Sequence, residues 1–557
     1  MNQICSQCSA KFEIAQADLA FLDKVSPLFG GKKYTIPSPK LCPDCRQQRR
    51  LAFRNERHLY HRKCDKTGRQ IISVYSPDKP FPVYEQAEWW GDSWNPLDFG
   101  RAVDFNRPFS EQFQELMRLV PRRSLIYFQN ENSEFTNVCS NNKNCYLLFS
   151  SDYNEECYFV SSLQKCHRCV DCSLVSDCSN CYDSFDIHTC QQCVSCADLR
   201  NCSSCSFCMD CSGCSACLFS WGLRNKRHCI LNEQYSPEEY TKKAQELRTG
   251  SYAAFSAAQR EFAGVRLNCI RKAVHSVQSE ECIGDYLQNC KACVACFNAL
   301  DSQDCRYMYD GVSCKDCGDC NEMGYSELCY DVVEAFPEAY SVLWSFLTAN
   351  TSDMQYCDHC YNSKHLFGCV GIRKGEYCIL NKQYSKEEFE KLIPKIIEKM
   401  IVDGEWGEFL PVAMSPFAYN ETVAQEAFPL TKGEAEKRGW QWRDAEEKQS
   451  QYLGPDYAIP DVITNAPDAI IEKILRCAVT GKPYKIIPQE LKFYRDMGLP
   501  VPRMCPEERH RERMALRNPR KLWNRECAKC SKAIETTYAP ERPEIVYCES
   551  CYLSSVY

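Results

Sequence analysis

Several features that identify enzymes and membrane proteins are missing from this sequence. No stretch approaches the roughly 18 consecutive apolar residues that a membrane-spanning helix requires. The start of the chain has neither the basic residues nor the apolar run of a secretory signal, so a cytoplasmic, reducing location is expected. The sequence also lacks a phosphate-binding loop, a dinucleotide fingerprint and a nucleophile elbow. An enzyme is therefore the less favoured class.

A large excess of one charge is also missing. The 557 residues include 67 basic and 74 acidic side chains, which gives a net charge of −7. A general electrostatic attraction to nucleic acid is therefore not expected, although local basic patches remain. The length of the chain predicts several domains.

Cysteine, by contrast, is abundant, with 43 residues. From Cys145 to Cys229 a cysteine recurs every twelve residues, and all sixteen cysteines between positions 145 and 223 are separated by multiples of three. The other residues of this phase are uncharged, and the charged side chains occupy the other two phases. Periods of 3 and 12 fit neither a helix nor a flat strand. They predict a narrow β-solenoid whose twelve-residue coils turn a corner about every three residues and bury the cysteine phase.

Three roles are open for the cysteines of this solenoid. Cysteine is small and apolar, so it can fill a narrow interior without a partner, and this role is favoured. Stacked coils also bring the Cα atoms within the range of a disulfide. Finally, stacked Cys-x2-Cys pairs present four sulfurs each, which suit zinc or an iron–sulfur cluster. The candidate ligands are Cys166, Cys169, Cys178, Cys181, Cys190, Cys193, Cys202 and Cys205. An aspartate series at the same step, Asp186, Asp198 and Asp210, could gather a cation, but an exposed turn ladder is the favoured interpretation.

Zinc is predicted near both ends of the sequence. In each place two Cys-x2-Cys pairs are separated by a loop, which is the spacing of a closed, tetrahedral four-thiolate zinc site. We expect two zinc ions, with iron–sulfur clusters less favoured. A partial third set, His58, His61 and Cys64, lacks a fourth ligand. The ligands of the two sites are Cys5, Cys8, Cys42 and Cys45, and Cys527, Cys530, Cys548 and Cys551.

Arginines follow the first zinc motif at helical spacing. They recur at steps of 4, 4 and 3, so they share one face of a helix. One interpretation is a stripe that contacts the phosphates of RNA or DNA. The other, slightly favoured, is that the arginines neutralise the zinc–thiolate centre and are otherwise solvated. The arginines are Arg46, Arg50, Arg54 and Arg57, and their C-terminal counterparts are Arg509, Arg513, Arg517 and Arg520.

Both the solenoid and the zinc module are duplicated. Residues 378–388 match residues 229–239 at nine of eleven positions, and in both copies a serine predicts the start of a helix. Residues 505–527 match residues 42–64 at eleven of 23 positions. The metal sites are complementary, because each zinc module has kept one ligand set and lost the other. The residues at the lost sites are Cys64, Thr67, Glu85 and Glu88, and Cys477, Thr480, Cys505 and Glu508.

The predicted fold class is multi-domain and mainly β. The segments are a zinc-ribbon module (1–64), an aromatic-rich region that caps the first coil (65–134), a first solenoid (135–235), a helical linker (236–268), a second solenoid (269–384) with an excursion at 330–356, a helical or irregular region (385–470) and a second zinc-ribbon module (471–557). Cys293, Cys305, Cys317 and Cys329 mark the second solenoid, beside Cys290, Cys296, Cys314 and Cys320.

Three motifs carry a family resemblance: Cys42-Pro43-Asp44-Cys45-Arg46, Cys229-Ile230-Leu231-Asn232 and the Trp89-Trp90 segment. Over nearly its whole length the chain resembles the large cysteine-rich zinc-ribbon proteins of candidate-phyla bacteria. The resemblance implies this architecture, and no activity comes with it. The predicted function is a non-enzymatic zinc-binding scaffold that binds a nucleic acid or a protein. The alternative is a thiol-based redox or metal-handling protein that uses the cysteine ladders.

Overall fold

The computed structural model describes residues 1–247, 249–306, 318, 321, 326–335, 338–444, 454 and 456–556. The fold is mixed, with 26% helix and 30% strand, rather than mainly β as predicted. No helix among the described residues combines the length and apolar character needed to cross a membrane. The chain divides into two units. Unit 1 comprises residues 1–125, 274–443 and 520–522, and unit 2 comprises residues 126–273, 444–519 and 523–557.

Unit 2 contains a ladder of short parallel strands, here called the first ladder. Each residue pairs with the residue twelve positions later, as Leu163 does with Val175 and Cys217 with Cys229. Isolated bridges between the strands keep the same step. The strands are Tyr127–Phe128, Asn137–Ser140, Tyr146–Asp152, Tyr158–Gln164, Ser173–Ser176, Phe185–His188, Ala197–Arg200, Met209–Ser212, Ser215–Leu218 and Arg227–Ile230, the last joined antiparallel by Glu233–Gln234.

The backbone of the first ladder turns at every third residue. From Asn144 to Asp210, every third residue has a φ between 46° and 59°, in the left-handed region. Among non-glycine residues, Asn and Asp tolerate this conformation best. Each left-handed residue directly precedes a buried position, as Asp171 precedes Cys172. The turn therefore explains both the period of three and the concentration of aspartates beside the buried phase.

Cysteine fills most of the interior of the first ladder. Cys169, Cys193 and Cys205 are fully buried, and they form one core with residues of the same phase. Most inward positions of this ladder hold a small apolar side chain, a role that cysteine suits. The aliphatic residues of this core are Leu148, Val160, Leu163, Val175, Ile187 and Leu199.

The other elements of unit 2 pack against the flanks of the first ladder. One apolar cluster joins Tyr182 to Tyr494, and another joins Phe207 to Phe262. The predicted helix start at Ser236 is confirmed, since the Glu239 N–H donates to Ser236 Oγ at 3.2 Å. The helices are Pro237–Leu247, Tyr252–Asn268, Pro488–Met497, Pro506–Ala515 and Glu549–Val556, with 3-10 turns Ile463–Asn465 and Asp468–Glu472. The strands are Ile270–Lys272, Leu475–Arg476, Pro483–Tyr484, Trp523–Glu526, Ala533–Thr536 and Ile545–Tyr547.

Unit 1 contains a second ladder of short parallel strands. Its C-terminal strands keep the twelve-residue step, as Leu366 does with Cys378, whereas Ser276 pairs with Leu287, eleven positions later. Cys290, Cys293, Cys296, Cys305 and Cys329 are buried in its core, as the sequence predicts. Three other predicted core residues, Cys314, Cys317 and Cys320, lie outside the described residues. The strands are Ser276–Val277, Ile283–Asp285, Leu287–Gln288, Val294–Phe297, Ser326–Glu327, Val333–Ala335, Ala339–Leu343, Phe346–Gln355, Tyr361–Phe367 and Glu376–Ile379, the last joined antiparallel by Lys382–Gln383.

The predicted excursion at 330–356 is wrong for the described part of that segment. Two of its strands pair with each other in the second ladder, with Val342 opposite Met354. The step from Ser326 to Ala339 is thirteen residues, so the phase shifts by one. Val342 and Met354 are fully buried and occupy inward positions. Since these positions hold other small or aliphatic residues, the spacing of cysteines does not reveal the strands.

The prediction that the aromatic-rich region caps the first coil is also wrong. Its helix, Phe109–Leu119, packs against the flank of the second ladder, where the ring centroids of Phe109 and Phe367 are 5.1 Å apart. Trp89 contacts Tyr361 of the same ladder, with centroids 5.8 Å apart. The amphipathic pattern predicts the helix correctly but does not identify the surface that it covers.

The remaining elements of unit 1 surround the same core. The helix Lys386–Asp403 begins at a capping box formed by Ser385 and Glu388, as predicted, and buries Phe389 and Ile393. The other helices are Gln16–Val25, Pro43–Leu51, Gln86–Trp90, Val423–Ala427 and Lys432–Lys437, with 3-10 turns Pro96–Phe99, Val412–Met414 and Tyr419–Glu421. The other strands are Asn2–Ile4, Lys11–Glu13, Leu28–Phe29, Lys32–Lys33, Tyr60–Lys63, Gln70–Ser73, Val83–Tyr84 and Arg122–Arg123.

Candidate metal centres

The first candidate metal centre is formed by Cys5, Cys8, Cys42 and Cys45, whose sulfurs all lie within 4.8 Å of one another. Cys5 and Cys8 belong to the turn between strands Asn2–Ile4 and Lys11–Glu13. Cys42 is the N-cap of the helix Pro43–Leu51, and Cys45 lies in its first turn. A hairpin turn and a helix start therefore place four thiols at the corners of one site, as the spacing predicts.

The second candidate centre is formed by Cys527, Cys530, Cys548 and Cys551, again with all sulfurs within 4.8 Å of one another. Burial by itself raises the pKa of Cys527, but hydrogen bonds from the backbone N–H groups of Cys548, Lys529 and Cys530 outweigh it and lower the pKa to about 6. The thiolate is the form that binds metal, so these N–H groups favour the ligand state. Each of these two sets of four cysteines is called a four-cysteine group below.

Four turns, here called knuckles, share one backbone pattern. Each turn begins at a leading cysteine, whose N–H donates to the carbonyl of the residue five positions further along the chain at 2.8–2.9 Å. The carbonyl of the same cysteine accepts from the N–H of the residue four positions further along at 2.8–3.0 Å. The residue four positions after the cysteine is left-handed in each. The structure therefore repeats the knuckle fold at all four places, although only two retain a four-cysteine group. The leading cysteines are Cys5, Cys64, Cys477 and Cys527.

At the second knuckle, three of the four positions that correspond to metal ligands hold other side chains. The Glu85 N–H donates to Cys64 Sγ at 3.3 Å, just as the Cys42 N–H donates to Cys5 Sγ in the intact centre. Lys66 lies 3.4 Å from the Glu88 carboxylate, and Arg69 lies 3.6 Å from that of Glu85. Positive side chains therefore lie beside the two carboxylates that replaced thiolates.

The C-terminal arginine helix, Pro506–Ala515, faces the first ladder. Arg509 Nη1 donates to Asp171 Oδ2 at 2.6 Å, and Arg513 Nη1 lies 3.5 Å from both Asp171 and Asp183. Arg517, just beyond the helix, forms a bidentate pair with Asp186 at 2.6 and 2.9 Å. The side chains of Arg509, Arg513 and Arg517 are at most 7% exposed. The arginine face therefore meets aspartates at the corners of the ladder.

The N-terminal arginine helix, Pro43–Leu51, makes equivalent contacts in unit 1. Arg49 and Arg50 each donate to one oxygen of Asp331 at 2.6 Å. Burial by itself raises the pKa of Asp331, but the two guanidinium groups lower it overall. Arg50 also donates to Asn321 Oδ1 at 2.9 Å. Asp331 is 1% exposed, so this charge is neutralised inside the protein.

These contacts give the arginines buried carboxylate partners that neither interpretation included. Arg46, Arg50 and Arg54 are buried, as are Arg509 and Arg513, so they are neither a solvated face nor accessible to phosphates. Arg57 and Arg520 are half-buried, and the side chain of Arg517 is 7% exposed. The aspartates at the left-handed positions of the ladder are the sequence signal for these ion pairs, and the sequence prediction did not connect them with the arginines. Asp186, predicted to belong to an exposed series, is 5% exposed and pairs with arginine.

The thiols of the ladders donate to backbone carbonyls. Cys166 Sγ lies 3.4 Å from the Gln164 carbonyl and 3.5 Å from the Val175 carbonyl. Cys172 makes the same two contacts, to the carbonyl two residues before it and to the carbonyl nine residues after it. Burial raises the pKa of Cys172, which favours the protonated thiol. These contacts favour cysteine as an interior filler.

Among the described residues, only the two four-cysteine groups bring three or more Cys, His, Asp or Glu ligand atoms within 4.8 Å of one another. The structure does not gather the partial set His58, His61 and Cys64 in this way. Nor does it gather the candidate ligands of the first ladder, Cys166, Cys169, Cys178, Cys181, Cys190, Cys193, Cys202 and Cys205.

Among the described ladder cysteines, one is expected to react first with an alkylating reagent. Cys282 is half-buried, whereas the described cysteines of both ladders are otherwise buried. With metal bound at both centres, timed alkylation with iodoacetamide and peptide mass spectrometry should detect modified Cys282 before any described ladder cysteine. The Cys282→Ser variant should lose this early phase. Simultaneous modification of many ladder thiols in the folded protein would contradict the buried-filler role.

No protein-family model matches the chain, and no curated protein sequence matches it. The resemblance to cysteine-rich proteins of candidate-phyla bacteria therefore stays a prediction. The fold and the sites define a cysteine-rich, mixed α and β chain with two four-cysteine groups that could each hold a metal ion.

Proposed function

We propose that the chain is a non-enzymatic zinc-binding scaffold, with one zinc ion at each four-cysteine group and a narrow β-solenoid in each unit. Four thiolates without an open coordination position suit a structural zinc site rather than a catalytic one. The twelve-residue register and the left-handed corners support the solenoid architecture. We expect the protein to function in the cytoplasm, where these thiols remain reduced.

The observation that carries the scaffold role is the burial of the arginine helices against the ladder aspartates. In unit 1, Cys42 and Cys45 begin the same helix that carries Arg49 and Arg50 to Asp331. Zinc at this centre would fix the helix start, and the ion pairs fix the helix on the ladder. Each unit therefore has the features of a rigid support.

The partner that this scaffold fits best is a protein rather than a nucleic acid. The arginines that suggested phosphate binding are paired with carboxylates, as in the contacts of Arg50 and Arg509. The net charge of −7 adds no general attraction to a polyanion. The ladder-based redox or metal-handling alternative is less favoured, because the described ladder thiols are buried and donate to carbonyls.

The nucleic-acid hypothesis has a direct test. We expect folded wild-type protein to show no salt-sensitive binding to single-stranded RNA or duplex DNA when fluorescence anisotropy is measured between about 50 and 200 mM salt. Arg50→Glu combined with Arg513→Glu should disrupt folding, because each new carboxylate would face a buried aspartate. Arg511→Glu is the exposed control and should leave the fold intact. Tight, salt-sensitive binding by the wild type would contradict a protein-only partner.

A further inference from the structure

The third knuckle and the C-terminal arginine helix hold two cysteines that belong to neither four-cysteine group. Cys477 leads the knuckle between strands Leu475–Arg476 and Pro483–Tyr484. Cys505 is the N-cap of the arginine helix, with φ −66° and ψ 158°, and Cys42 caps the N-terminal arginine helix at φ −66° and ψ 162°. Cys477 and Cys505 therefore stand where Cys5 and Cys42 stand in the first metal centre.

The other two ligand positions of this knuckle are no longer thiols. Thr480 replaces one of them, and its hydroxyl lies 3.9 Å from Cys505 Sγ. Glu508 replaces the other and forms an ion pair with Arg511. Cys477, Cys505 and Glu508 do not form a set with ligand atoms within 4.8 Å of one another. The site therefore keeps a pair of thiols without the remainder of a tetrahedral centre.

The two thiols differ in their ionisation. Burial by itself raises the pKa of Cys477, but the Thr480 hydroxyl and the backbone N–H groups of Cys505, Thr480 and Val479 outweigh it and lower the pKa to about 7. Burial raises the pKa of Cys505 to about 11. Both cysteines belong to one buried apolar cluster, and the Ala478 N–H donates to the Arg503 carbonyl at 2.8 Å, which joins the two backbone segments that carry them. A substantial fraction of Cys477 is thus thiolate at neutral pH, beside a protonated thiol.

Access to the pair runs through a short exposed turn. Cys477 is 2% exposed and Cys505 is 1% exposed. The five residues 478–482, which form the tip of the hairpin, are all exposed. Local opening of such a tip requires far less free energy than global unfolding, so a small reagent can reach Cys477 while the unit stays folded.

We propose that Cys477 and Cys505 are a redox-responsive dithiol that closes into a disulfide by exchange with a low-molecular-weight disulfide. The Cys477 thiolate attacks one sulfur of the reagent disulfide, forms a mixed disulfide and releases one thiolate. Cys505 then loses its proton and attacks Cys477 Sγ, which releases the second reagent sulfur. In total, two protein thiols are oxidised to one disulfide, and one reagent disulfide is reduced to two thiols.

The disulfide would join the hairpin to the start of the C-terminal arginine helix. Cys505 lies one helical turn before Arg509, whose guanidinium contacts Asp171 of the first ladder. In unit 1 the residue at the position of Cys505 is Cys42, which belongs to a four-cysteine group. This inference goes beyond the proposed function, because it assigns a reversible covalent connection to a site where metal ligands have been lost.

The test uses the full-length, zinc-loaded chain with oxidised glutathione as the probe. After quenching by alkylation, peptide mass spectrometry should detect a Cys477–Cys505 disulfide while the ladder cysteines stay reduced. The melting temperature should rise by about 5–10 °C, because the cross-link restricts the unfolded chain. Cys505→Ser should retain glutathione on Cys477, since the resolving thiol is absent. Cys477→Ser should leave Cys505 without an adduct.

Cys64→Ser is the matched control. Cys64 leads a knuckle with the same backbone bonds, and glutamate stands at the position that Cys505 occupies in the third knuckle. This variant should form the Cys477–Cys505 disulfide normally.

The proposal fails if wild-type Cys477 and Cys505 stay reduced while oxidised glutathione modifies other thiols, or if a metal ion bound by the two thiols protects them. Both results come from the wild type, so they do not depend on how the variants fold. Zinc at the two four-cysteine groups is measured in the same sample. If the Cys477–Cys505 disulfide does not form while two zinc ions are retained, this inference is overturned and the proposed function still stands.

Discussion

Replacing Cys527 with serine is expected to lower the zinc content of the purified chain from about two ions to about one. A structural zinc site needs all four thiolates, and zinc binding contributes on the order of 10 kcal/mol to the folding of such sites. The hairpin Trp523–Glu526 and Ala533–Thr536 should therefore lose its order together with the metal. Elemental analysis by mass spectrometry measures the zinc, and amide hydrogen exchange measures the order of the hairpin.

The knuckle led by Cys64 supplies the control for this experiment. Cys64 occupies the position of Cys527 in the N-terminal copy and makes the same knuckle bonds, but it belongs to neither four-cysteine group. Cys64→Ser should therefore leave the zinc content unchanged. Equal loss of zinc in both variants, or absence of zinc from anaerobically purified wild type, would refute the assignment of one zinc ion to each four-cysteine group.

Arg509→Ala is expected to lower the free energy of unfolding of unit 2 by about 3–5 kcal/mol. The substitution leaves Asp171 and Glu490 without their shared cation, and these carboxylates are 1% and 0% exposed. Arg511→Ala on the same helix is the matched control. Arg511 is 71% exposed and pairs with Glu508, so its loss should cost only about 0–1 kcal/mol. Urea unfolding followed by circular dichroism compares the two variants.

A double-mutant cycle separates the ion pair from other effects of truncation. Asp171→Ala should destabilise unit 2 on its own, because Arg509 and Arg513 both contact this carboxylate. The Arg509→Ala, Asp171→Ala double variant should lose clearly less stability than the sum of the single losses, because neither partner is then left buried and charged. If Arg509→Ala costs no more than Arg511→Ala, the buried pair does not anchor the arginine helix.

The features that could be predicted from the sequence are those set by spacing along the chain. The two Cys-x2-Cys pairs of each four-cysteine group are brought together by a hairpin turn and a helix start. In the first ladder, the periods of three and twelve agree with the left-handed corners and the parallel register. Both regularities follow from backbone geometry that repeats over a few residues, so a single sequence reveals them.

The predictions that failed concern surfaces that meet across long stretches of chain. The helix around Phe113 was recognised, but its amphipathic pattern does not distinguish one ladder from the other. The strand containing Val342 was missed because its inward phase is not marked by cysteine. In both cases the local pattern specifies an apolar face and leaves its partner undefined.

The sequence by itself determined the twelve-residue register of the first ladder and the two four-cysteine groups, because each depends on residue types at short, fixed separations. Only the tertiary structure decided the role of the arginines. Arg509 and Asp171 are 338 residues apart in the chain, and an arginine stripe looks the same in sequence whether it faces phosphates or buried carboxylates. The deciding factor is desolvation, because a buried aspartate needs a cation beside it, and the fold alone brings the two together.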